Sequence, residues 1–308
     1  MNILHMRYAV EIARAGSINK ASEVLLIAQP NLSRSVKELE ADLGITIFDR
    51  SAKGMFLTPE GEEFINYATS ILNAIEEVED MYKDGHRIRQ KFSISVPRAT
   101  YISNAFAKFT KNLTCDPAEI FYNETNSMHA IDNILSSGYK LGIIRYAENH
   151  DKYFKDMLNE KGLNYELLAE FRYSLVVNEN SPLAKLDEIS LSDLSPYIEV
   201  AHADPFVPSL SASEVRKEEL PENVNRRIFV FERGGQFNIL SENKDSFMWS
   251  APLPKTHLER FCLVQKECSD NKKIYKDILI YKKDYKLTKL DNMFITELCR
   301  EKRLCFPD

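Results

Sequence analysis

The chain has 308 residues, of which 44% are hydrophobic and 28% charged. This composition excludes a disordered tail or a small disulfide-stapled domain and leaves room for two or three domains. A net charge of −6 excludes a globally basic nucleic-acid coat, though not a local DNA-reading surface. No apolar run approaches the roughly 18 to 20 residues of a membrane span, and Met1 to Arg7 carries no export signal. The five cysteines, Cys115, Cys262, Cys268, Cys299 and Cys305, match no redox or zinc spacing. A soluble, cytoplasmic chain with reduced thiols and no membrane partner is expected.

Residues 1–58 hold seven basic and six acidic residues, whereas 59–91 hold four and eight, so the composition shifts near Pro59. Met6, Ala9, Val10 and Ala13 recur at helical spacing and end at Gly16. Ser17 then stands where an N-cap belongs, ahead of a second helix through Ile18, Ala21, Val24 and Leu25. Pro30 suits the first turn of a third helix, whose apolar stripe is Leu32, Val36, Leu39 and Leu43 and whose end is Gly44. Three helices joined by tight turns outline a helix-turn-helix. The polar face of the third carries Gln29, Pro30, Asn31, Ser33, Arg34 and Lys37. Such a face suits base edges and phosphates, and on periodicity alone it suits an ordinary solvated surface equally well. Two short apolar runs, Ile45 to Phe48 and Met55 to Leu57, flank a basic turn with Arg50 and Lys53, which reads as a β-wing able to reach phosphate.

Thr58, Pro59 and Glu60 open a helix of about 25 residues, with Phe64, Ala68, Ile71, Ile75, Val78 and Tyr82 repeating at alternating spacings of four and three. This seam predicts a dimer interface; the alternative is packing against its own domain. Beyond it, strand and helix patterns alternate. Phe92–Val96, Ala118–Tyr122 and Lys140–Ile144 read as strands, with helices at Ile102–Phe109 and Met128–Leu135 between them. A second set runs from Tyr173–Val177 through Tyr197–Val200, Ile228–Phe231 and Phe247–Trp249. A last strand at Asp277–Lys282 and a last helix at Lys289–Arg303 complete an α/β body with a mainly parallel sheet.

The run from Ala21 to Arg50 contains Gln29-Pro-Asn-Leu-Ser33, Leu39-Glu-Ala-Asp-Leu-Gly44 and Phe48-Asp-Arg50, and Leu57-Thr-Pro-Glu-Gly61 follows it. In these motifs and their spacing the chain resembles the LysR-type transcriptional regulators. The resemblance implies a mixed α and α/β fold: a winged helix-turn-helix DNA-binding domain (1–58), a dimerising linker helix (59–88), and a two-lobed effector-binding domain (91–308) resembling periplasmic binding proteins. Lobe I would comprise 91–167 and 269–308, and lobe II 168–268. It further implies double-stranded promoter DNA and a small-molecule effector as partners, a homodimer that assembles into a homotetramer, and RNA polymerase as a partner if the chain activates. Ala28 stands where the family usually has a capping Ser or Thr. Asn31 replaces a small apolar residue, and its amide either contacts adenine or is simply exposed.

No catalytic constellation is visible. The histidines do not fall at metal-ligand spacing, and Ser-elbow, Walker and dinucleotide motifs are missing, so a regulator without cofactor or metal is expected rather than an enzyme. A scaffold built on the heptad helix, or a solute-binding protein fused to a helical module, are the competing readings. In a two-lobed body the ligand lies at strand ends and helix starts. Arg98, Thr100 and Tyr101 follow the first strand; an exposed Arg and a capping Thr fit the same residues. Family-equivalent contacts would come from Thr125, Asn126, Arg145, His202, Gly235 and Gln236, although Arg145 equally fits a rim salt bridge. Arg98, Arg145 and Arg233 together lean towards an anionic effector.

Overall fold

A computed structural model describes residues 2–51, 54–83, 90–202 and 224–306. The chain divides into two compact units, one built from Met1–Gln90 with the short segments Asp116–Ala118 and Leu135–Gly138, and the other from the rest of the α/β body that starts at Lys91.

In the first unit α1 (Ile3–Ala15), α2 (Ile18–Leu25) and α3 (Gln29–Leu43) follow the expected spacings. Gly16 and Gly44 adopt left-handed conformations that close α1 and α3, a geometry glycine takes without a Cβ penalty. Met6, Ala9, Ile12, Ala21, Leu32, Val36 and Leu39 form the core. The wing strands β1 (Phe48–Ser51) and β2 (Gly54–Leu57) pair antiparallel, with Phe48 opposite Leu57. Glu40 on α3 anchors the wing: one carboxylate oxygen accepts the amides of Ile47 (2.8 Å) and Phe48 (3.1 Å).

The long helix α4 (Pro59–Lys83) starts as expected, with the Thr58 hydroxyl accepting the Gly61 amide at 2.9 Å. Gly61 itself lies so close to Ile47 that any Cβ there would run into the Ile47 carbonyl. The expected dimer seam is divided. Ala68 is buried and Phe64 half-buried in the unit's own core, joined there by Leu72, because α4 packs along α1 over these turns. Ala68 is therefore not free for a partner, and Phe64 is free only in part. Further along, Ile71 and Val78 are exposed (41% and 54%) and line an apolar groove of about 370 Å³ with Ala74, Ile75 and Glu79. The Tyr82 side chain lies outside the described residues.

The second unit holds two five-stranded sheets. The first has the order β4-β3-β5-β12-β6, formed by β3 (Gln90–Val96), β4 (Ala118–Glu124), β5 (Leu141–Ala147), β6 (Leu163–Arg172) and β12 (Ile274–Lys282). Strand β3 runs parallel to β5, and β12 antiparallel to β5 and β6. Helices α5 (Thr100–Thr110) and α10 (Lys289–Cys305) pack together over a core of Phe92, Ile94, Tyr101, Phe109, Leu279 and Phe294. Helices α6 (Ser127–Ser136) and α7 (Asp151–Glu160) complete the lobe; α7 has no counterpart in the sequence expectations.

The second sheet has the order β11-β7-β10-β8-β9, formed by β7 (Ser174–Asn178), β8 (Ile198–His202), β9 (Arg226–Val230), β10 (Ser246–Ser250) and β11 (Leu263–Lys266). Alternate residues of β7 serve opposite faces, as a strand period of two requires. Leu175 and Val177 meet Leu183 and Phe247, whereas Val176 meets Val200, Phe237 and Met248. Helix α8 (Arg233–Glu242) covers the latter face, and the short α9 (Lys255–Arg260) follows β10.

The chain passes between sheets at Tyr173 and again over residues 267–273. Lobe I thus keeps its strand β6 to Arg172, five residues past the expected boundary, because β12 pairs with it along its whole length. The Asn271 side chain donates to the Tyr173 carbonyl at 2.8 Å and ties the two crossings together.

Candidate nucleic-acid interface and inter-lobe site

Helix α3 has one sealed face and one open face. Leu32, Val36 and Leu39 are fully buried, and Gln29, Pro30, Asn31, Arg34 and Lys37 are exposed, with Ser33 half-buried beside them. The cap is backbone only: Ala28 offers no side-chain acceptor, while its carbonyl accepts the Asn31 amide at 3.0 Å. Arg34 donates through Nε to Glu38 one turn on (2.9 Å), an exposed i,i+4 pair of a few tenths of a kcal/mol that is easily exchanged. The backbone of Arg50 lies in β1 opposite Met55. Its side chain, and the whole of Lys53, lie outside the described residues.

In the second unit, the residues expected around an effector divide into three groups. Some are structural. Tyr101 is fully buried and donates its hydroxyl to Asp277 Oδ2 at 2.5 Å, so it belongs to the core and not to a ligand surface. Burial, then the Asp277 charge, holds its pKa well above the usual phenol value. Arg145 makes a two-pronged pair with the same carboxylate, Nε to Oδ1 at 2.7 Å and Nη2 to Oδ2 at 2.6 Å, and lies over the Phe171 ring at 4.8 Å. Burial alone would lower its pKa, but Asp277 outweighs this and holds the guanidinium charged. It is a buried ion pair, neither a free ligand nor a rim bridge. Asn126 accepts the His129 amide at 3.0 Å and caps the start of α6. Thr125 donates its amide to the Val96 carbonyl at 2.8 Å, and its hydroxyl lies 3.4 Å from His129 Nδ1.

A second group joins the lobes. Thr100 is not the cap of α5, since Ala99 occupies that position. Its buried hydroxyl instead accepts from Arg233 of lobe II, through Nε at 3.1 Å and Nη2 at 3.0 Å. Arg233 also donates to the Arg98 carbonyl (3.1 Å) and to Ser250 Oγ (3.1 Å). In return, Arg98 donates through Nε to the Phe231 carbonyl at 2.9 Å.

The third group lies behind Arg233. Gln236 is 1% exposed; its Nε2 is 3.4 Å from His202 Nδ1 and its Oε1 has no partner among the described residues. Burial, then Arg233, Arg98 and Arg145, push His202 down to about 3, so it is neutral and Nδ1 can accept. Gly235 lies in the first turn of α8, where a Cβ would meet only Val230 at ordinary contact distance. Arg233 is 8% exposed and makes no ion pair among the described residues; burial lowers it to about 10, partly offset by the charge of Glu124.

Sequence reasoning did not single out Asp277, Ser250, Glu40 or the pair of Tyr122 and Glu124, whose side chains meet at 3.1 Å. An acid inside the apolar run Ile274-Tyr-Lys-Asp-Ile-Leu-Ile280 was the available signal for Asp277. No comparable signal marks Ser250.

The chain thus sets a winged helix-turn-helix and a long helix ahead of a two-lobed α/β body. Residues 3–62 match the family model described as bacterial regulatory helix-turn-helix protein, lysR family. Over that stretch the chain carries the DNA-binding unit of the LysR family. It is 45% identical over 101 residues to the uncharacterized HTH-type transcriptional regulator YcgK of Bacillus subtilis, a match covering 32% of this chain and 31% of that protein. The fold is similar to that of full-length CbnR complexed with its target DNA (TM-score 0.55, 17% identity, 98% of this chain and 100% of that one). It is similar also to LysG of Corynebacterium glutamicum with bound effector Arg (TM-score 0.56, 14% identity, 98% of each chain).

Proposed function

We propose that the chain is a sequence-specific DNA-binding regulator whose promoter binding answers to a small anionic molecule held between the lobes of its second unit. The observation that carries the DNA half is the division of α3, whose hydrogen-bonding side chains stay in water because the opposite stripe is fixed in the core. A structure of the same fold, CbnR, has been seen with its target DNA, which supports that reading. The anion half is supported by Arg233, a buried guanidinium that pairs with no carboxylate among the described residues and reaches the start of α5, a helix end that favours negative charge. The exposed part of the α4 stripe, Ile71, Ala74, Ile75 and Val78, fits self-association into a dimer.

The test begins with duplexes selected from a random pool by the full chain. Fluorescence anisotropy against selected and scrambled sequences should separate by about 4 kcal/mol or more at physiological salt. Equal affinity for both would defeat the regulator reading. Sedimentation of Val78→Asp should show a monomer; an unchanged oligomer would place the dimer contact elsewhere.

A further inference from the structure

The contacts between the lobes are reciprocal. From lobe II, Arg233 reaches the Thr100 hydroxyl and the Arg98 carbonyl; from lobe I, Arg98 reaches the Phe231 carbonyl. All four groups fall within three residues of Thr100 or Arg233, at the start of a helix on each side.

We propose that these two arginines form a clasp that holds the lobes together when no effector is present, so that an effector acts by releasing the clasp rather than by drawing open lobes shut. The proposal rests on the reading of this seam as the effector site and concerns how that site is regulated. Three features make the clasp releasable. Arg233 brings a positive charge to the N-terminus of α5, where the helix dipole opposes it. Its acceptors, two hydroxyls and a carbonyl, are neutral, and hydrogen bonds of that kind are weaker than those to a carboxylate. Gln236, one turn along α8 from Arg233, holds a buried acceptor without a donor among the described residues. A small acid that also carries a hydroxyl or N–H group satisfies both, offering its carboxylate to Arg233 and its donor to Gln236. Thr100 then loses its partner, and with it lobe I loses its hold on lobe II.

The chain carries its own probes. Cys115 and Cys262 are exposed, one on each lobe, whereas Cys268 and Cys305 are buried. The full-length Cys299→Ser chain is spin-labelled at the two exposed cysteines and diluted with unlabelled protein. Pulsed dipolar spectroscopy should then give one narrow distance without any added ligand. Thr100→Val keeps the shape and removes the hydroxyl, and is expected to broaden that distribution at least twofold or add a longer distance. Arg233→Met should do the same, and Thr100→Ser should restore the narrow distance. Unchanged distributions in Thr100→Val and Arg233→Met would overturn the clasp, and so would a broadened Thr100→Ser, which would assign the effect to packing. The regulatory half is read by footprinting on the selected duplex with no ligand present. Thr100→Val should protect a different length of DNA from the parent chain, whereas identical footprints from an opened variant would overturn release as the signal. If the parent chain selects no duplex, the regulator reading fails while the distance measurement still decides the clasp.

Discussion

Arg34 and Arg145 each pair with a carboxylate through Nε, at 2.9 Å and 2.7 Å, yet the two pairs have little else in common. Arg34 and Glu38 stand in water on α3, one turn apart. Arg145 and Asp277 are buried together beneath Phe171 and Tyr173, with Tyr101 bonded to the same carboxylate. In water the pair contributes a few tenths of a kcal/mol and can be traded for a base or a phosphate at little loss. In the body, separation strands a charge without solvent, so the pair is fixed for the life of the fold. The first unit keeps its chemistry at the surface and available for exchange, and the second locks most of its own inside. Arg233 lies between these extremes, being buried like Arg145 but bonded, among the described residues, to neutral groups.

The hardest test of this contrast removes one partner of the buried pair. Arg145→Met leaves the Asp277 carboxylate with Tyr101 alone at a site of 0% exposure, and is expected to lower the stability of the second unit by about 3–5 kcal/mol. Urea unfolding followed at Trp249, which lies in β10 of that unit, should show the loss. Selected-duplex binding by the first unit should stay within about twofold at temperatures where both units are folded. A shift under about 1 kcal/mol would mean that the pair is no more protected than its surface counterpart.

The same contrast explains how much was legible in the sequence. The helix-turn-helix unit could be read nearly in full because periodicity and caps are local: Leu32, Val36 and Leu39 are buried where their spacing put them, and Gly16 and Gly44 end helices. In the body, strands were visible as apolar runs, but the roles of individual polar residues were not. Tyr101 and Arg145 looked like ligand groups because they follow strand ends or helix starts, and only the pairing of β12 with β5 brings Asp277 opposite Arg145. That partner lies 132 residues away, beyond any local pattern. The long heptad stripe misled for a related reason, since spacing marks a buried face without saying which neighbour buries it. Of that stripe, Ala68 is buried and Phe64 half-buried on the unit's own α1 side.

On the surface side, Arg34→Ala and Gln29→Ala are each expected to reduce discrimination between selected and scrambled duplexes by about 1–3 kcal/mol. Arg50→Ala should instead weaken both and lower the salt slope by about one unit. Glu38→Ala separates pairing from reading: removing the exposed partner should leave the stability of the unit within about 0.5 kcal/mol and not reduce binding. A comparable loss on both duplexes for Gln29→Ala would refute direct base contact. Gly61→Ala tests a tightly packed point of the same unit, since its Cβ would force α4 away from Ile47. We expect a loss of about 1–3 kcal/mol there and none in the second unit.

Acid should distinguish the units as well. Burial, reinforced by three arginines, lowers His202 to about 3 in the folded chain, against an ordinary value of 6.5. The unfolded chain therefore binds more protons between these limits. The contribution of neutral His202 is complete above pH 6.5 and is lost as the pH falls towards about 3. The stability of the second unit should decline over that window by up to ~1.4 kcal/mol per pH unit from this residue. His202→Asn should flatten the decline in part, because His257, lowered to about 4 by burial and by Arg233 and Arg260, titrates over much of the same range. An acid limb of the same slope in the variant would show that His202 is protonated without penalty.

The smallest expected effect is at the turn that aims α3. Leu26 caps α2 in a left-handed conformation (φ 55°), held by its amide on the Glu23 carbonyl and by that of Ile27 on the Ser22 carbonyl. A Cβ makes this conformation costly, by roughly 1 kcal/mol, and Leu26 recovers little through packing because its side chain is 91% exposed. Glycine removes the steric penalty but gives the unfolded chain more freedom, so the net gain from Leu26→Gly should be only about 0.5 kcal/mol. Asparagine, which tolerates the left-handed region and restricts the unfolded chain more, should gain at least as much. Thermal unfolding of the first unit would register either gain as a rise of a few degrees, with the second unit unchanged. Leu26 also stands at the approach to the recognition face, only three residues before Gln29, so the same variants distinguish strain from use. A more stable unit with unchanged affinity for the selected duplex would mark Leu26 as strain alone, whereas a more stable unit that binds DNA less tightly would make this exposed leucine part of the DNA contact.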